Sequence, residues 1–467
     1  MNLVLLTTDA LFFFLVGIAI AYAFYARRHP HLAAPWQQVG RQPLGMSACV
    51  VLAAYLVIAL LDSIHFHPRL DGTDSDARSG EIVSVFDQLV GPLKRNTEKT
   101  YSAPFAAYAF AKETIELEDG TTIRAYPRLV HGGAHLGDPE SERTLDILIR
   151  SGGGMAIGLL VWFCAAFAIC LVVARTEKVG MQDAILAVMQ GTTTVPWRAV
   201  LLTLAGLLAV SGFIVVVAPH YHILGTDKVG NDVLYQSLKS IRTGLLIGTL
   251  TTLVMLPLAV TLGIAAGYFR GWVDDVIQYL YTTLSSIPGV LLIAAAALML
   301  DAYMVRHEAD FASLTARADL RLLALCVILG VTAWTGLCRY LRAEALKLRE
   351  LEFIQAARAF GVAHQVVLAR HIVPNIMHIV MISIVIDFSG LVLAEAALTY
   401  INIGVDPSME SWGNMINSAR LELAREPVVW WSLFAAFVFM FTLVLAANVF
   451  ADAVRDAFDP RLREAVA

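Results

Sequence analysis

No catalytic signature occurs anywhere in this chain of 467 residues. A GxxxxGK[ST] loop is missing, so ATP is not bound by the P-loop route, and HExxH, GxSxG and CxxC are missing too. No catalytic residue, metal site or cofactor is expected in this polypeptide. Charge is also scarce. Asp, Glu, Lys and Arg make up 16% of the residues, against about a quarter in soluble domains. Hydrophobic residues reach 58% and the mean hydropathy is +0.66, which places the chain in a lipid bilayer. A net charge of −5 leaves no basic footprint for nucleic acid. Cysteine is sparse as well: Cys49, Cys164, Cys170, Cys326 and Cys338 all fall in or beside apolar runs. None lies in the long polar segment, so no disulfide framework is implied, and buried, inert thiols are expected.

The first thirty residues have no basic start and no small-residue cleavage site, and Arg27 and Arg28 follow the apolar run. That pattern argues against a cleaved signal peptide. It fits a first helix with its N-terminus outside. A span needs about twenty apolar residues. Runs that qualify lie near 5–25, 45–61, 152–174, 199–218, 243–267, 276–299, 321–340, 376–400 and 429–450. Alternation from an outside N-terminus puts 26–44, 175–198, 268–275, 341–375 and the C-terminus in the cytoplasm. Those loops carry Arg27, Arg28, Arg41, Arg175, Lys178, Arg198, Arg270, Lys347, Arg349, Arg358 and Arg370, as the positive-inside bias requires.

Residues 63–150 are polar and of domain-like size. Ile115–Tyr126 alternates around Asp119-Gly120, a hairpin signal. FDQLVGPLKRN and PFAAYAFAKE read as short helices, so a small α+β outer domain is expected. His67–Asp74 faintly echoes a later motif, as chance allows. His131 and His135 are four apart, but Gly132 and Gly133 between them favour a solvated loop over a metal pair. Residues 175–198 are amphipathic through Met181, Ile185, Val188 and Met189, the pattern of an in-plane cytoplasmic helix.

The most informative stretch is Glu344–Asn375, a polar interruption between two long apolar runs. Loops of that length are uncommon without a function. Phe353, Ala356, Ala357 and Phe360 recur at helical spacing, Glu350 and Glu352 stand early, and Arg358 stands late, in the order a helix dipole favours. Gly361 breaks the helix and Pro374 stands where the next is expected to begin. A short helix with such a face suits docking into another protein's groove. A helix lying on its own bundle or on lipid headgroups meets the same pattern.

Gln355-Ala356-Ala357-x-x-x-Gly361 followed by Arg370–Asn375 (RHIVPN) resembles the EAA loop of binding-protein-dependent ABC importer permeases, in the form of the dipeptide/oligopeptide branch. The resemblance implies that this loop is a coupling helix seated in an ATPase subunit, with Phe353, Gln355, Ala356, Ala357, Arg358, Gly361 and Pro374 as its contact set. Gln355 replaces the family's leading Glu. Upstream, His222-x-Leu224-Gly225-Thr226-Asp227-x-x-Gly230-x-Asp232 is similar to the outer-face signature of the same permeases, with Asn231 and Tyr235-Gln236 in place of Arg and Ser-Arg. Physically it is a tight, side-chain-capped turn, which is favoured over a substrate contact. Ala266–Asp274 matches their short inner loop and Ser286-Ile287-Pro288 a kinked helix, with Tyr279 and Thr282 where the family has Arg and Asp. Glu395–Met415 and the tail Asn448–Leu462 resemble their last outer loop and C-terminus.

The implied fold is an all-α polytopic membrane protein. It has a type I ABC importer permease core of six helices, about three extra N-terminal helices and a small α+β extracytoplasmic domain. Expected divisions are 1–62, 63–150, 151–197 and the core at 198–467, with the coupling loop at 344–375. Implied partners are a second permease, two ABC ATPase subunits, an extracytoplasmic solute-binding protein and the inner membrane bilayer. Within the apolar runs, Asp387 and Glu395 share one expected helix about 12 Å apart in rise. Asp387 is read equally as a pathway group and as a buried partnered one. Glu395 is read as partnered by a hydroxyl or by an arginine such as Arg242. A secondary transporter or channel without an ATPase, and a receptor or assembly protein on a degenerate permease core, remain open alternatives.

Overall fold

The structure, a computed structural model, describes residues 2–67, 82–116, 122–307 and 313–458. In chain order it begins with a strand, β1 (Asn2–Val4), then α1 (Thr7–Arg28), α2 (Pro30–Val39) and α3 (Pro43–Asp62). Next come β2 (His65–His67), β3 (Val83–Ser84), α4 (Val85–Leu89), α5 (Gly91–Arg95), β4 (Glu113–Glu116) and β5 (Thr122–Ala125). The helices α6 (Pro139–Glu177), α7 (Met181–Gln190), α8 (Trp197–Val217), α9 (Val233–Phe269), α10 (Trp272–Ser286) and α11 (Gly289–Arg306) follow. Last are α12 (Leu314–Arg349), α13 (Glu352–Ala359), α14 (His364–Val367), α15 (Val373–Tyr400), α16 (Trp412–Glu422) and α17 (Trp431–Phe458). Among the described residues nine helical stretches are long and apolar enough to cross a membrane, so the chain is an all-helical polytopic membrane protein.

Helix starts follow local chemistry. Asp138 caps α6 by accepting the Glu140 N–H at 3.2 Å with Pro139 in the first turn. Ser313 and Ser411 cap α12 and α16. Ser84 and Asp87 form a reciprocal capping box on α4.

Three expectations change. The sixth span, expected at 276–299, is two helices: α10 stops at Ser286, Ile287 is extended, and α11 starts after Pro288. The proline restricts the residue before it and removes a donor, so the helix breaks rather than kinks. PFAAYAFAKE forms turns and bridges instead of a helix, with Phe110 N–H bonding to Tyr101 O and Ala109 N–H to Pro127 O. Cys49 and Cys164 are exposed on their helices, whereas Cys170, Cys326 and Cys338 are buried.

The hairpin is present as antiparallel β4 and β5, Ile115 opposite Ile123, while Asp119-Gly120 lies outside the described residues. So does most of the echo at His67–Asp74. FDQLVGPLKRN does hold two short helices, α4 and α5. β1, unforeseen, pairs antiparallel with β2, which pairs with β3. Pairing Val4 with His65 brings the two ends of the α1–α3 segment together.

The chain divides into two compact units. The first comprises 1–4, 37–243 and 410–446. In it α6 and α8 approach through Gly154, Gly158 and Gly212, where a Cβ on Gly154 would meet the Gly212 carbonyl at 2.6 Å. Ala184 and Val188 of α7 are buried beside Cys170, Val173 and Leu201, while Ile185 and Met189 stay exposed. The amphipathic helix therefore packs on the bundle by part of its apolar side.

The second unit comprises 5–36, 244–409 and 447–467. Its core runs from Met255 and Ala259 through Trp334, Leu341 and Ala345 to Ile354, Val367 and Ile376. Small residues let α9 and α12 meet: a Cβ on Gly267 would lie 2.6 Å from that of Ala345, and one on Gly330 2.6 Å from that of Val254. Asp319 of α12 holds the start of α1, accepting the Thr7 N–H at 2.9 Å and the Thr8 hydroxyl.

Candidate functional site

Residues 344–375 fold from the end of α12 outward. Leu351 leads into α13 and Phe360 closes it; Gly361, at φ +76°, turns the chain in a conformation that L side chains resist. The helix resumes at His364, ten residues before Pro374. Between α14 and α15, Leu368–Ile372 form a π turn. Pro374 has no N–H for the preceding carbonyls, so the wider turn absorbs the mismatch, and Asn375 Nδ2 donates to His371 O at 2.6 Å. Pro374 thus shapes a bulge inside a continuing helix rather than opening one.

The underside of α13 is fixed by Ile354, fully buried, and by Ala357, half-buried against the same core. Ile354 escaped the sequence reading, which grouped Ala357 with the outward face; the i, i+3 pair of Ile354 and Ala357 was the signal. Phe353 is 48% and Phe360 88% exposed, with Gln355, Ala356 and Arg358 exposed between them. Gln355 Nε2 donates back to Glu350 O at 3.0 Å. Glu350 in turn receives Arg270 at 2.7 Å.

Tyr268 is the strut beneath this surface. Its hydroxyl meets His364 Nδ1 at 2.8 Å, its carbonyl accepts Arg349 Nη1 at 2.7 Å, and Arg358 stands 5.9 Å over its ring. The loop joining α9 to α10 is only Arg270 and Gly271, both at positive φ. Asp274 in the first turn of α10 clamps Arg342 with two bonds, 2.5 and 2.7 Å. That guanidinium holds the Asp274 carboxyl below the usual carboxylate range. A polar cleft of about 550 Å³ opens beside α13, lined by Gln355, Arg358, Gly361, Val362, Ala363 and His364.

The Gly225–Asp232 motif is a turn pinned from several directions. Gly225 and Gly230 have φ of +69° and +80°, and their missing Cβ atoms leave room for the Ser102 and Glu98 carbonyls. Thr226 Oγ1 donates to Thr100 O at 2.9 Å and accepts the Ser102 N–H at 2.6 Å; its own carbonyl accepts Trp431 Nε1 at 2.9 Å. Asp227 accepts the Val229 and Asn231 N–H groups at 2.9 Å and Gln236 Nε2 at 2.8 Å. Asn231 and Gln236, which replace arginines of the resembled signature, thus serve as neutral partners of that aspartate. Tyr235 and Lys239 reach Asp87 at 2.8 and 2.6 Å.

Asp232 caps α9 through the Leu234 and Tyr235 N–H groups and holds His222 Nδ1 at 2.7 Å. On the other side of the ring, Nε2 lies 3.5 Å from Glu98 Oε1, and Glu98 also accepts the Val130, His131 and Gly132 N–H groups. Burial disfavours the charged imidazole, but the hydrogen bond to Asp232 and the nearby Glu98 carboxylate outweigh it and raise the pKa to about 9. For Glu98, burial is likewise overcome by His222 and the three amides, leaving it at about 2. Glu98 was not singled out from the sequence, and His222 stood there only as the opening residue of a familiar signature, because their partnership spans more than a hundred residues.

Among the intramembrane groups, Asp387 is half-buried and makes no hydrogen bond or ion pair among the described residues. Glu395 is buried and accepts the Thr399 hydroxyl at 2.8 Å. Arg242 is buried and its Nε donates to Ser63 Oγ at 3.3 Å. His135 Nε2 binds Asp146 at 2.8 Å, and no cluster of three metal-ligating side chains occurs among the described residues.

Residues 259–464 match the family described as binding-protein-dependent transport system inner membrane component. The chain is 30% identical over 242 residues to an oligopeptide transport system permease protein of Mycobacterium bovis, covering 52% of this chain and 77% of that one. It is 29% identical to a glutathione transport system permease protein of Pectobacterium atrosepticum, covering 52% and 73%. A dipeptide transport system permease protein of Lactococcus lactis is 28% identical, with 52% and 65% covered.

Proposed function

The chain belongs to the family of binding-protein-dependent transport system inner membrane components, and from that premise we propose that it is the permease subunit of an ATP-driven importer of di- or oligopeptides. A permease of this kind is a transmembrane component and not itself a catalyst. Its proposed assembly holds a second permease, two ABC ATPase subunits and an extracytoplasmic solute-binding protein. Its C-terminus and α13 face the cytoplasm.

Force enters through α13. Closure of the ATPase pair pulls on Phe353, Gln355, Ala356, Arg358 and Phe360. The braces at Ile354, Tyr268 and the Asp274–Arg342 pair pass that motion to α9, α10 and α12. Rigid-body rocking of these helices then opens the path alternately to each side.

The observation that carries this reading is a short helix braced from below and left bare above, with an exposed Phe at each end. Gly361→Asp tests it. No atom lies within 4 Å of the position a Cβ would take there, so the chain has room for the side chain and bears only the positive-φ strain. Membrane insertion is expected to persist while ATP-dependent peptide uptake is lost. Normal uptake by the inserted variant refutes the docking role.

A further inference from the structure

A second cation stands beside the proposed coupling apparatus and takes no part in it. Arg339 lies three residues before Arg342 on α12, about 4.5 Å further along the axis from the inner end. Arg342 is neutralised by Asp274. Arg339 is exposed, its Nη2 donates to Ser285 Oγ at 2.7 Å, and its guanidinium stands 5.4 Å over the Tyr281 ring. It has no carboxylate partner among the described residues.

Next to it the helix is interrupted. Ser285 through Gly289 are exposed, with Ile287 in extended conformation between α10 and α11. Tyr279, Thr282 and Thr283 are exposed on the same helix, Tyr279 by 71%. The break stands at the start of the candidate span formed by α11 (Gly289–Arg306), and non-helical backbone at that edge is tolerated where protein or water covers it. An arginine on a membrane-spanning helix likewise avoids hydrocarbon and marks a pathway or a partner. Five hydroxyl side chains and one oriented, uncompensated guanidinium suit a hydrated route for a polar solute better than a packed protein seam. Ser285 and the Tyr281 ring fix the guanidinium, and its other N–H groups stay without partners among the described residues. A planar guanidinium held in this way is built to receive a carboxylate.

We infer that the face formed by Arg339, Ser285 and the break at 286–289 lines the cargo route, and that Arg339 is a station for the free carboxylate of a peptide C-terminus. The inference rests on the peptide-permease reading. It identifies a binding residue that the docking of α13 neither needs nor implies.

The test is uptake of radiolabelled tri-alanine and of its C-terminal amide into proteoliposomes holding the assembled transporter and its soluble receptor. Wild type, Arg339→Gln and Arg339→Lys are compared, with ATPase rate recorded in the same vesicles. Arg339→Gln is expected to slow the free acid about tenfold or more, the scale of a lost charge-assisted hydrogen bond. The amide should stay within about twofold, so the acid-to-amide ratio collapses, and Arg339→Lys should recover part of it. Taking that ratio cancels any preference of the receptor. Equal loss of both probes, loss of neither, or loss of copurifying subunits overturns the proposal. A defect that follows the anionic lipid content of the vesicles also overturns it, as a headgroup contact. Failure of the wild-type complex to take up either probe refutes the peptide reading itself, which the ratio in an active complex does not.

Discussion

The buried Glu98–His222–Asp232 triad makes a prediction whose sign and size follow from its geometry. His222 sits 2.7 Å from Asp232 and 3.5 Å from Glu98, and its pKa is raised from 6.5 to about 9. Such a rise is worth about 3 kcal/mol in favour of the closed state. A raised imidazole contributes fully below its unfolded value, so the stabilisation is complete below pH 6.5 and lost as the pH climbs through about 9. The opening it resists is local, because Glu98 ties residues 130–132 to the turn that starts α9. Hydrogen–deuterium exchange on the purified protein, corrected for intrinsic rates, reads it directly. Between pH 6.5 and 9.5, peptides covering 126–136 and 219–236 should lose about a hundredfold of protection. His222→Gln should be less protected at pH 6.5 and flat across that range. If wild type and His222→Gln show the same pH dependence, the triad carries no charge and the reasoning fails.

Two further substitutions probe the braces. Arg342→Lys gives up the two-pronged grip on Asp274, costing about 1–2 kcal/mol, and is expected to raise ATP hydrolysed per peptide imported without changing subunit content. Trp431→Phe strips the buried Thr226 carbonyl of its indole donor, which should cost about 1–3 kcal/mol and lower the thermal midpoint by several degrees. An unchanged midpoint would remove Trp431 from the support of the Thr226 turn.

Sequence patterns exposed the parts of the fold that repeat a simple physical rule. Apolar runs located the spans because hydrocarbon demands about twenty residues of them. The interruption at 344–375 stood out because polar chain is costly there. Partnership across sequence distance stayed hidden. Ile354 looked like one more apolar residue in a mixed helix until the core beneath it was seen. Asn231, Tyr235 and Gln236 read as departures from a familiar signature, yet two of them satisfy Asp227 and the third reaches Asp87. The break at Pro288 was visible as a proline, but whether a proline bends a helix or ends it depends on the surrounding packing. Asp387 could be located on its helix from the sequence, and the structure adds that no described side chain pairs with it.

One measurement addresses the central claim most directly. Phe360→Cys, at the most exposed corner of α13, is probed with a membrane-impermeant maleimide from each side of sealed vesicles, with and without the copurifying ATPase subunits. Labelling from the cytoplasmic side alone is expected, with shielding when the ATPase is bound. Labelling from the outer side, or accessibility that ignores the ATPase, contradicts the claim.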